Sequence, residues 1–448
     1  MNNHVLQTGD HGPQSGFVSN HSADLPDGWI EVKVGDVVEK TGQRDPSRNP
    51  TKRFKYVDVS SVSNESLSIT GYIEYEGKNA PSRARKAIKD GDVLFATVRP
   101  SLKRVATVPR ELDDEICSTA FCVLRAKADV VDPEFLFFVT VNDSFVDRVT
   151  EHQRGSSYPA VTDNNIKEEF ILLPPLAEQR AIAHVLRTVQ RAKESTEKVI
   201  ASTRQLKQSL MRHLFTHGPV PIDQADQVEL KETEFGDVPA DWRIAVLSDC
   251  AEVQTGIAKG RKVDAADAIM VPYLRVANVQ DGFLDLTEIK EIPIRKGELE
   301  RFALQVGDVL LTEGGDFDKL GRGFIWNGEV PTCVHQNHIF AVRANRQIIS
   351  SDYLAYLTQS QYGKSYFLTV AHRTTHLACI NTTKLKALPV PVPPLQGQEE
   401  IARLLKTIDR KYETEMHRRN ALEGLLHTLL HGLMTGRIRL QRFTSGKA

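Results

Sequence analysis

Cationic side chains gather in two stretches near the start of the chain. Arg83, Arg85, Lys86, Lys89, Arg99, Lys103, Arg104 and Arg110 fall within residues 81–110, opposed there only by Asp90 and Asp92. Arg44, Arg48, Lys52, Arg53 and Lys55 form a second group. Further on, Arg154-Gly155-Ser156-Ser157-Tyr158 places a cation beside hydroxyls and a ring, and Arg373-Thr374-Thr375-His376 does the same. Arg275 and Asn278 stand at an expected strand end. Lys319 and Arg322 lie among Gly314, Gly315, Gly321 and Gly323, and His335-Gln336-Asn337-His338 is rich in groups that both donate and accept. Ammonium and guanidinium groups neutralise phosphate. Gln and Asn pair bidentately with adenine, and Arg with guanine. A solvated charged face or a plain turn is the competing reading for any one of these runs. Two basic clusters in one domain of a chain whose net charge is −1 favour a local nucleic-acid surface.

Other chemistry is missing. An amino-methylating enzyme holds its flipped base with an Asn- or Asp-Pro-Pro-aromatic motif. Here the Pro-Pro pairs are Leu173-Pro174-Pro175-Leu176 and Val392-Pro393-Pro394-Leu395, which lack both the polar group and the ring. No Gly-x-Gly-x-x-Gly loop follows an expected strand. Gly363-Lys364-Ser365 lacks the upstream glycine of a phosphate loop, since Thr358 stands there, and reads as helix surface. Cys333, His335, His338, His372, His376 and Cys379 have spacings that suit zinc on a helix, but they fall in expected strand and loop, so no metal site is assigned. No catalytic residue is expected.

The elements that would carry these side chains occur twice. Leu25-Pro26-Asp27-Gly28-Trp29 returns as Val238-Pro239-Ala240-Asp241-Trp242, and Gly91-Asp92-Val93-Leu94 as Gly307-Asp308-Val309-Leu310. Leu173-Pro174-Pro175-Leu176-Ala177-Glu178-Gln179 returns as Val392-Pro393-Pro394-Leu395-Gln396-Gly397-Gln398. Matches in the same order mean two domains of one fold. Their middles diverge: Arg99-Pro100-Ser101-Leu102-Lys103-Arg104 stands where the other copy has Gly314-Gly315-Asp316-Phe317-Asp318-Lys319. Within the first copy, Val57–Ser60, Val93–Ala96 and Ala120–Leu124 read as strands. Pro133–Val149 reads as one helix capped by Asp132, and about Ser351–Phe367 as its counterpart.

From Leu176 to about Phe215 the chain has neither Gly nor Pro. Ile182, Val185, Val189, Ala192, Thr196, Val199, Thr203, Leu206 and Leu210 alternate in steps of three and four, a heptad seam on a rod of roughly 60 Å. His217-Gly218-Pro219 stops it. The second rod runs from Leu395 to about Met434. Its seam is Ile401, Leu404 and Ile408, then polar Lys411, Glu415 and Arg418, then Leu422, Leu425 and Leu429. Tyr412 and Met416 offer a shifted register through the polar middle. The nearest apolar partner for each rod is the other, so an antiparallel pair is expected; packing of each rod on its own domain is the alternative.

At 448 residues two or three domains are expected. Five scattered cysteines with no Cys-x-x-Cys pair point to a reduced, cytoplasmic chain. No apolar run is long enough to span a bilayer. Residues 1–24 read as a disordered tail.

In its duplicated order of divergent domain then long helix, the chain resembles the specificity subunit of a type I restriction-modification system over about residues 25–436. The resemblance implies an α/β (α+β) fold, with two pseudo-repeated target recognition domains separated by two long antiparallel coiled-coil helices. The expected layout is a tail (1–24), recognition domain 1 (25–173), spacer helix 1 (174–217), linker (218–237), recognition domain 2 (238–392), spacer helix 2 (393–436) and a tail (437–448). Each domain would read half of a bipartite site in double-stranded DNA. By that resemblance the helices set the spacer and dock two methyltransferase (modification) subunits through Leu176, Gln179, Ile182, Val185 and Val189, and through Leu395, Gln398, Ile401, Leu404 and Ile408. Restriction/translocase subunits would join them. S-adenosylmethionine, ATP and Mg are then expected on the partners and no cofactor on this chain. The rival expectation is a two-headed interaction scaffold that touches no DNA.

Overall fold

The computed structural model describes residues 25–155, 157–315, 320–373 (backbone only at Arg373) and 378–440. Residues 1–24 and 441–448, expected to be tails, lie outside them. The chain forms two compact units. One holds the residues up to Glu197 and those from Arg418 on, and the other runs from Lys198 to His417. The division falls inside both long helices, not at their ends.

In the first unit an antiparallel sheet runs in the order Val38–Glu39, Phe121–Ala126, Val93–Ala96, Val105–Thr107. Its central strands are apolar from Val93 to Ala96 and from Phe121 to Leu124 because both faces are covered there. Phe95, Cys122 and Leu124 face a core shared with the helices. Leu94, Phe121 and Val123 face a second core on the other side. A second sheet runs Ile73–Glu76, Arg53–Val57, Ile116–Ser118, Ala84–Ala87, with one parallel pairing that sets Tyr56 against Ile116. The strand expected at Val57–Ser60 thus lies earlier, and Val59–Ser61 is a 3-10 turn.

The second unit repeats this frame. Its antiparallel sheet runs Ala251–Thr255, Ile339–Ala344, Val309–Thr312, Gly323–Ile325. A sheet of Lys290–Arg295, Ala268–Leu274 and Val334–His335 sets Tyr273 parallel to Val334. The closing ribbon has the same register in both. Ile30 to Lys33 pair with Leu173 to Phe170, and Arg243 to Val246 with Val392 to Pro389.

Each expected single helix after the sheet is two. Pro133–Val141 is followed by Asp143–Glu151, and Ser351–Gln359 by Gln361–Val370. Asn142 and Ser360 interrupt them with extended backbone, and each caps the helix that follows with its own side-chain oxygen. Such side chains compete with the helical backbone and favour caps. Apolar periodicity continues across both breaks, which is why the sequence reads as one helix. Asp132 caps the first helix as expected. Gly363-Lys364-Ser365 lies within the helix Gln361–Val370.

The two long helices run Leu176–His217 and Leu395–Met434. Gly218, with a φ of +78°, ends the first. Each unit buries the opening of one helix and the close of the other. The first unit's core takes Ile182 and Leu186 with Leu433 and Met434. The second takes Ile401 and Leu405 with Met211, Leu214 and Phe215. Between these ends the helices meet through polar groups. In the second unit Arg204 donates to the Tyr412 hydroxyl at 3.0 Å, and Lys207 pairs with Asp409 at 2.6 Å. One number rises as the other falls, so the pairing is antiparallel. In the first unit Lys193 meets Glu423 at 3.3 Å.

The apolar seam needs correction. Val199 and Leu206 are exposed, as is Leu425, whereas Thr196, Thr203 and Glu415 are buried at their expected seam positions, and Gln190 is buried outside the seam. Tyr412 and Met416 are half-buried, consistent with the shifted register. Among the described residues no helix is long and apolar enough to cross a membrane.

Candidate nucleic-acid interface

The frame beneath the candidate site is built from repeated polar clamps. Asp92, 1% exposed, takes a bidentate pair from Arg125 (2.8 and 2.7 Å), and its Oδ2 accepts the Lys89 amide. Asp308 does the same with Arg343 (2.9 and 2.8 Å) and the Gln305 amide. A buried carboxylate is tolerated when paired and fully bonded in this way. Gln179 accepts from the Asp132 amide and donates to the carbonyls of Val130 and Pro174. Gln398 makes the matching three bonds to Ser350, Ile348 and Pro393. The two glutamines fix each long helix against the start of the helix that follows its sheet. Gln179, Gln398, Ile182 and Ile401, which the family resemblance places at a docking surface, are therefore buried within their own units. Val185, Val189, Leu404 and Ile408 are half-buried, Leu176 likewise, and Leu395 is exposed.

At one edge of the first unit two loops meet. Arg99 and Lys103 both adopt left-handed backbone (φ +50°) on either side of the turn Pro100–Leu102. Non-glycine residues hold this conformation at a cost, and it clusters at functional loops. The neighbouring loop is closed by two backbone bonds between Arg154 and Ala160, both 3.0 Å, with Gly155 at φ +94°. The Arg99 amide donates to Pro159 O (2.8 Å), and its guanidinium lies 5.4 Å from the Tyr158 ring centroid. Tyr158 is 74% exposed. Arg154 and Ser157 are also exposed. Arg83 is exposed in the turn just before the strand Ala84–Ala87. The edge thus presents Arg99, Arg154 and an accessible ring to solvent, on backbone held from both sides.

The other candidates of this unit are committed to the fold. Arg104 donates to the carbonyls of Val59 (3.1 Å) and Val62 (2.7 Å). Arg85 bonds Ala84 O and faces Asp45 at 3.6 Å. Lys103 pairs with Asp143, whose carboxyl is held below its usual range chiefly by that bond. Sequence reasoning counts charge and does not see these partners.

In the second unit the same backbone supports the loops. Gly314–Gly315 and His372–Arg373 both pair with Ala378–Cys379. The tips carrying Lys319, Thr374, Thr375 and His376 lie outside the described residues, as do Ser156 and the Arg373 side chain. Asn278 is 3% exposed and bonds Asp285 O, Glu288 O and the Arg275 amide. Arg275 pairs with Glu288 at 2.9 Å. Arg322 reaches Gln280 and the Val276 carbonyl, at 3.2 and 3.4 Å. His335 is fully buried. Its Nδ1 donates to Ile339 O at 3.0 Å, its Nε2 has no partner among the described residues, and burial pushes its pKa down to about 4. Asn278 and His335 therefore position the loop and do not reach solvent. Gln336 and Asn337 are half-buried beside them, with Gln336 accepting the Val276 amide at 3.3 Å. His338 is exposed and bonds Glu313.

A family model described as the type I restriction modification DNA specificity domain matches residues 26–203 and again 239–424. The chain belongs to this family. The putative type I restriction enzyme MjaX specificity subunit of Methanocaldococcus jannaschii is 31% identical over 182 residues, 40% of this chain and 42% of that one. The MjaVIII specificity subunit of the same organism is 23% identical over 96% of this chain and 97% of its own. The EcoKI specificity subunit of Escherichia coli K12 is 22% identical over 93% and 91%. A solved structure, described as the structural basis of complex assembly and conformational transition of the type I R-M system, is 27% identical with a TM-score of 0.56. It covers 93% of this chain and 100% of that one. The type I S subunit from M. genitalium shares the fold at a TM-score of 0.55 and 14% identity, over 92% and 98%. Two family domains on one chain match the duplicated frame described above. A protein-only scaffold is not favoured by this membership.

Proposed function

We propose that the protein is the non-catalytic reader of a type I restriction-modification complex, each unit recognising one half of a bipartite double-stranded DNA site. The observation that carries this is the exposed edge of the first unit. Arg99, Arg154 and Tyr158 stand there on two braced loops, on a frame that the second unit repeats with a different sequence at the tips. Phosphate contacts supply affinity that falls with salt, and base-edge contacts supply discrimination. Different tips on equal frames are what two unrelated half-sites require. The helix pair sets the distance between half-sites and offers its outer faces to two modification subunits, with restriction subunits joining them. S-adenosylmethionine, ATP and Mg belong to those partners, and the methyl transfer and cleavage are theirs.

Exchange of residues 25–173 for the equivalent domain of a relative tests this. The expected outcome is a methylation pattern altered in one half of the site and unchanged in the other and in the spacer. A change in both halves, or binding to random and specific duplex with no steep salt dependence, overturns it.

A further inference from the structure

The two units differ at one groove. In the second, Phe235 packs edge-on against Tyr362 and Tyr366, with ring centroids 5.9 and 5.1 Å apart. Four residues earlier, Lys231 donates to the carbonyls of Ala240 (3.0 Å) and Trp242. The first unit has Ser144 and Arg148 where those tyrosines stand. There a groove of about 420 Å³ is open, floored by Phe145, Leu172 and Met434 and edged by Phe170, Arg148 and Glu31. Phe170 is 48% exposed.

The anchor beside this groove is already in place. Arg439 donates to Asp27 O at 3.1 Å, and Asp27 occupies in its repeat the position of Ala240. Its guanidinium also binds Glu178 (2.8 Å) and lies 5.7 Å from the Trp29 ring centroid. Arg439 thus does for the first unit what Lys231 does for the second. Four residues past Lys231 comes Phe235, and four residues past Arg439 comes Phe443. Leu440 packs on the core that also holds Phe145 and Met434. Three further residues reach at most about 10 Å, enough for a groove lined by the same core. Residues 441–448 contain Arg442 and Lys447 and no carboxylate side chain, while Glu31 stands exposed on the rim.

We propose that Phe443 seats in this groove as Phe235 does in the other unit, so that residues 441–448 strap the close of the second long helix onto the first unit. The smaller Ser144, in place of Tyr362, leaves room for the ring. Arg148 offers it a cation–π face, and Arg442 lies against Glu31.

Hydrogen exchange of the full chain tests the strap without reference to DNA. Phe443→Ala is expected to speed exchange of the amides in Asp143–Glu151 about tenfold, the loss of one buried aromatic anchor. Phe235→Ala should do the same to Gln361–Val370, and Phe17→Ala should leave both unchanged. Ser144→Cys with Phe443→Cys is expected to give a 144–443 disulfide on mild oxidation, seen by peptide mass mapping. Lys447→Cys in place of Phe443→Cys is expected to give little. Unaltered exchange in Phe443→Ala overturns the proposal. So does a Phe17→Ala effect, which would give the groove to the N-terminal segment. Protection that varies with protein concentration would give it to a second copy, and also overturns it.

Discussion

The first and second units share their skeleton atom for atom at the clamps and part company at the edges. Asp92 with Arg125 and Asp308 with Arg343 have the same bonds at nearly the same lengths, as do Gln179 and Gln398. Yet Cys117 of the first unit stands where the second has the buried His335, on equivalent strands. Glu178, which holds Trp29 and Arg439, is replaced by Gly397. What holds the frame together has one good solution and is reused. What faces a target need only be supported, and it varies.

The clamps give the sharpest test of equivalence. Asp92→Ala leaves Arg125 mostly buried and unpaired, which costs about 3 kcal/mol or more. Asp308→Ala should cost somewhat less, because the Arg343 side chain is 30% exposed against 17% for Arg125. Native-state hydrogen exchange, read separately over each unit, checks both. A loss confined to the mutated unit and graded in this order is expected. Equal losses in both units would mean that the clamps do not act locally.

This frame was largely legible in the sequence because it rests on repetition and periodicity. Gly-Asp-Val-Leu and the Pro-Pro phrase recur at fixed places, and both mark clamps: the Asp is the buried carboxylate, and the Gln after the Pro-Pro is the helix pin. The heptad was read less well. Val199 and Leu206 satisfy the spacing but face solvent, whereas Thr196 and Thr203 of the same expected seam are buried, and so is Gln190, which lies outside it. A three-four spacing finds the buried hydroxyls but misses a buried amide such as Gln190. The candidate site was harder still. Arg104 and Arg99 look alike in sequence, but one is tied to two carbonyls and the other is exposed at a strained turn. Partner choice is decided by tertiary contacts that one-dimensional spacing does not carry.

A difference in acid response follows from the Cys117/His335 exchange. His335 is held neutral by burial, with its pKa lowered from 6.5 to about 4. Between those values the unfolded chain binds more protons than the folded one, so stability rises with pH across this window. The second unit is therefore fully stabilised with respect to this group above pH 6.5. It should lose roughly 3 kcal/mol as pH falls toward 4. His335→Asn keeps a donor for Ile339 O and removes the titration. Exchange or proteolysis of the second unit from pH 7 to 4.5 should flatten in that variant, and the first unit should not respond to it. An unchanged slope would mean that other groups carry the acid sensitivity.

The smallest effect concerns the edge. Among the described residues the Arg99 guanidinium meets no carboxylate, only a long 3.4 Å contact to Ser157 O and the Tyr158 ring beside it, so a phosphate meets it with little to displace. Lys103 must first give up Asp143. Arg99→Gln should weaken duplex binding by about 1 kcal/mol and flatten the salt dependence of log K by roughly 0.9, one phosphate contact. Lys103→Gln should do less on both counts. Because Arg99 belongs to the first unit, its loss should weaken every sequence alike if it meets phosphate. If it meets a base edge, its loss should relax preference in one half-site only, and titration of duplexes altered in each half separates the two. Equal effects of Arg99→Gln and Lys103→Gln would show that prior pairing does not decide which cations of the edge are used.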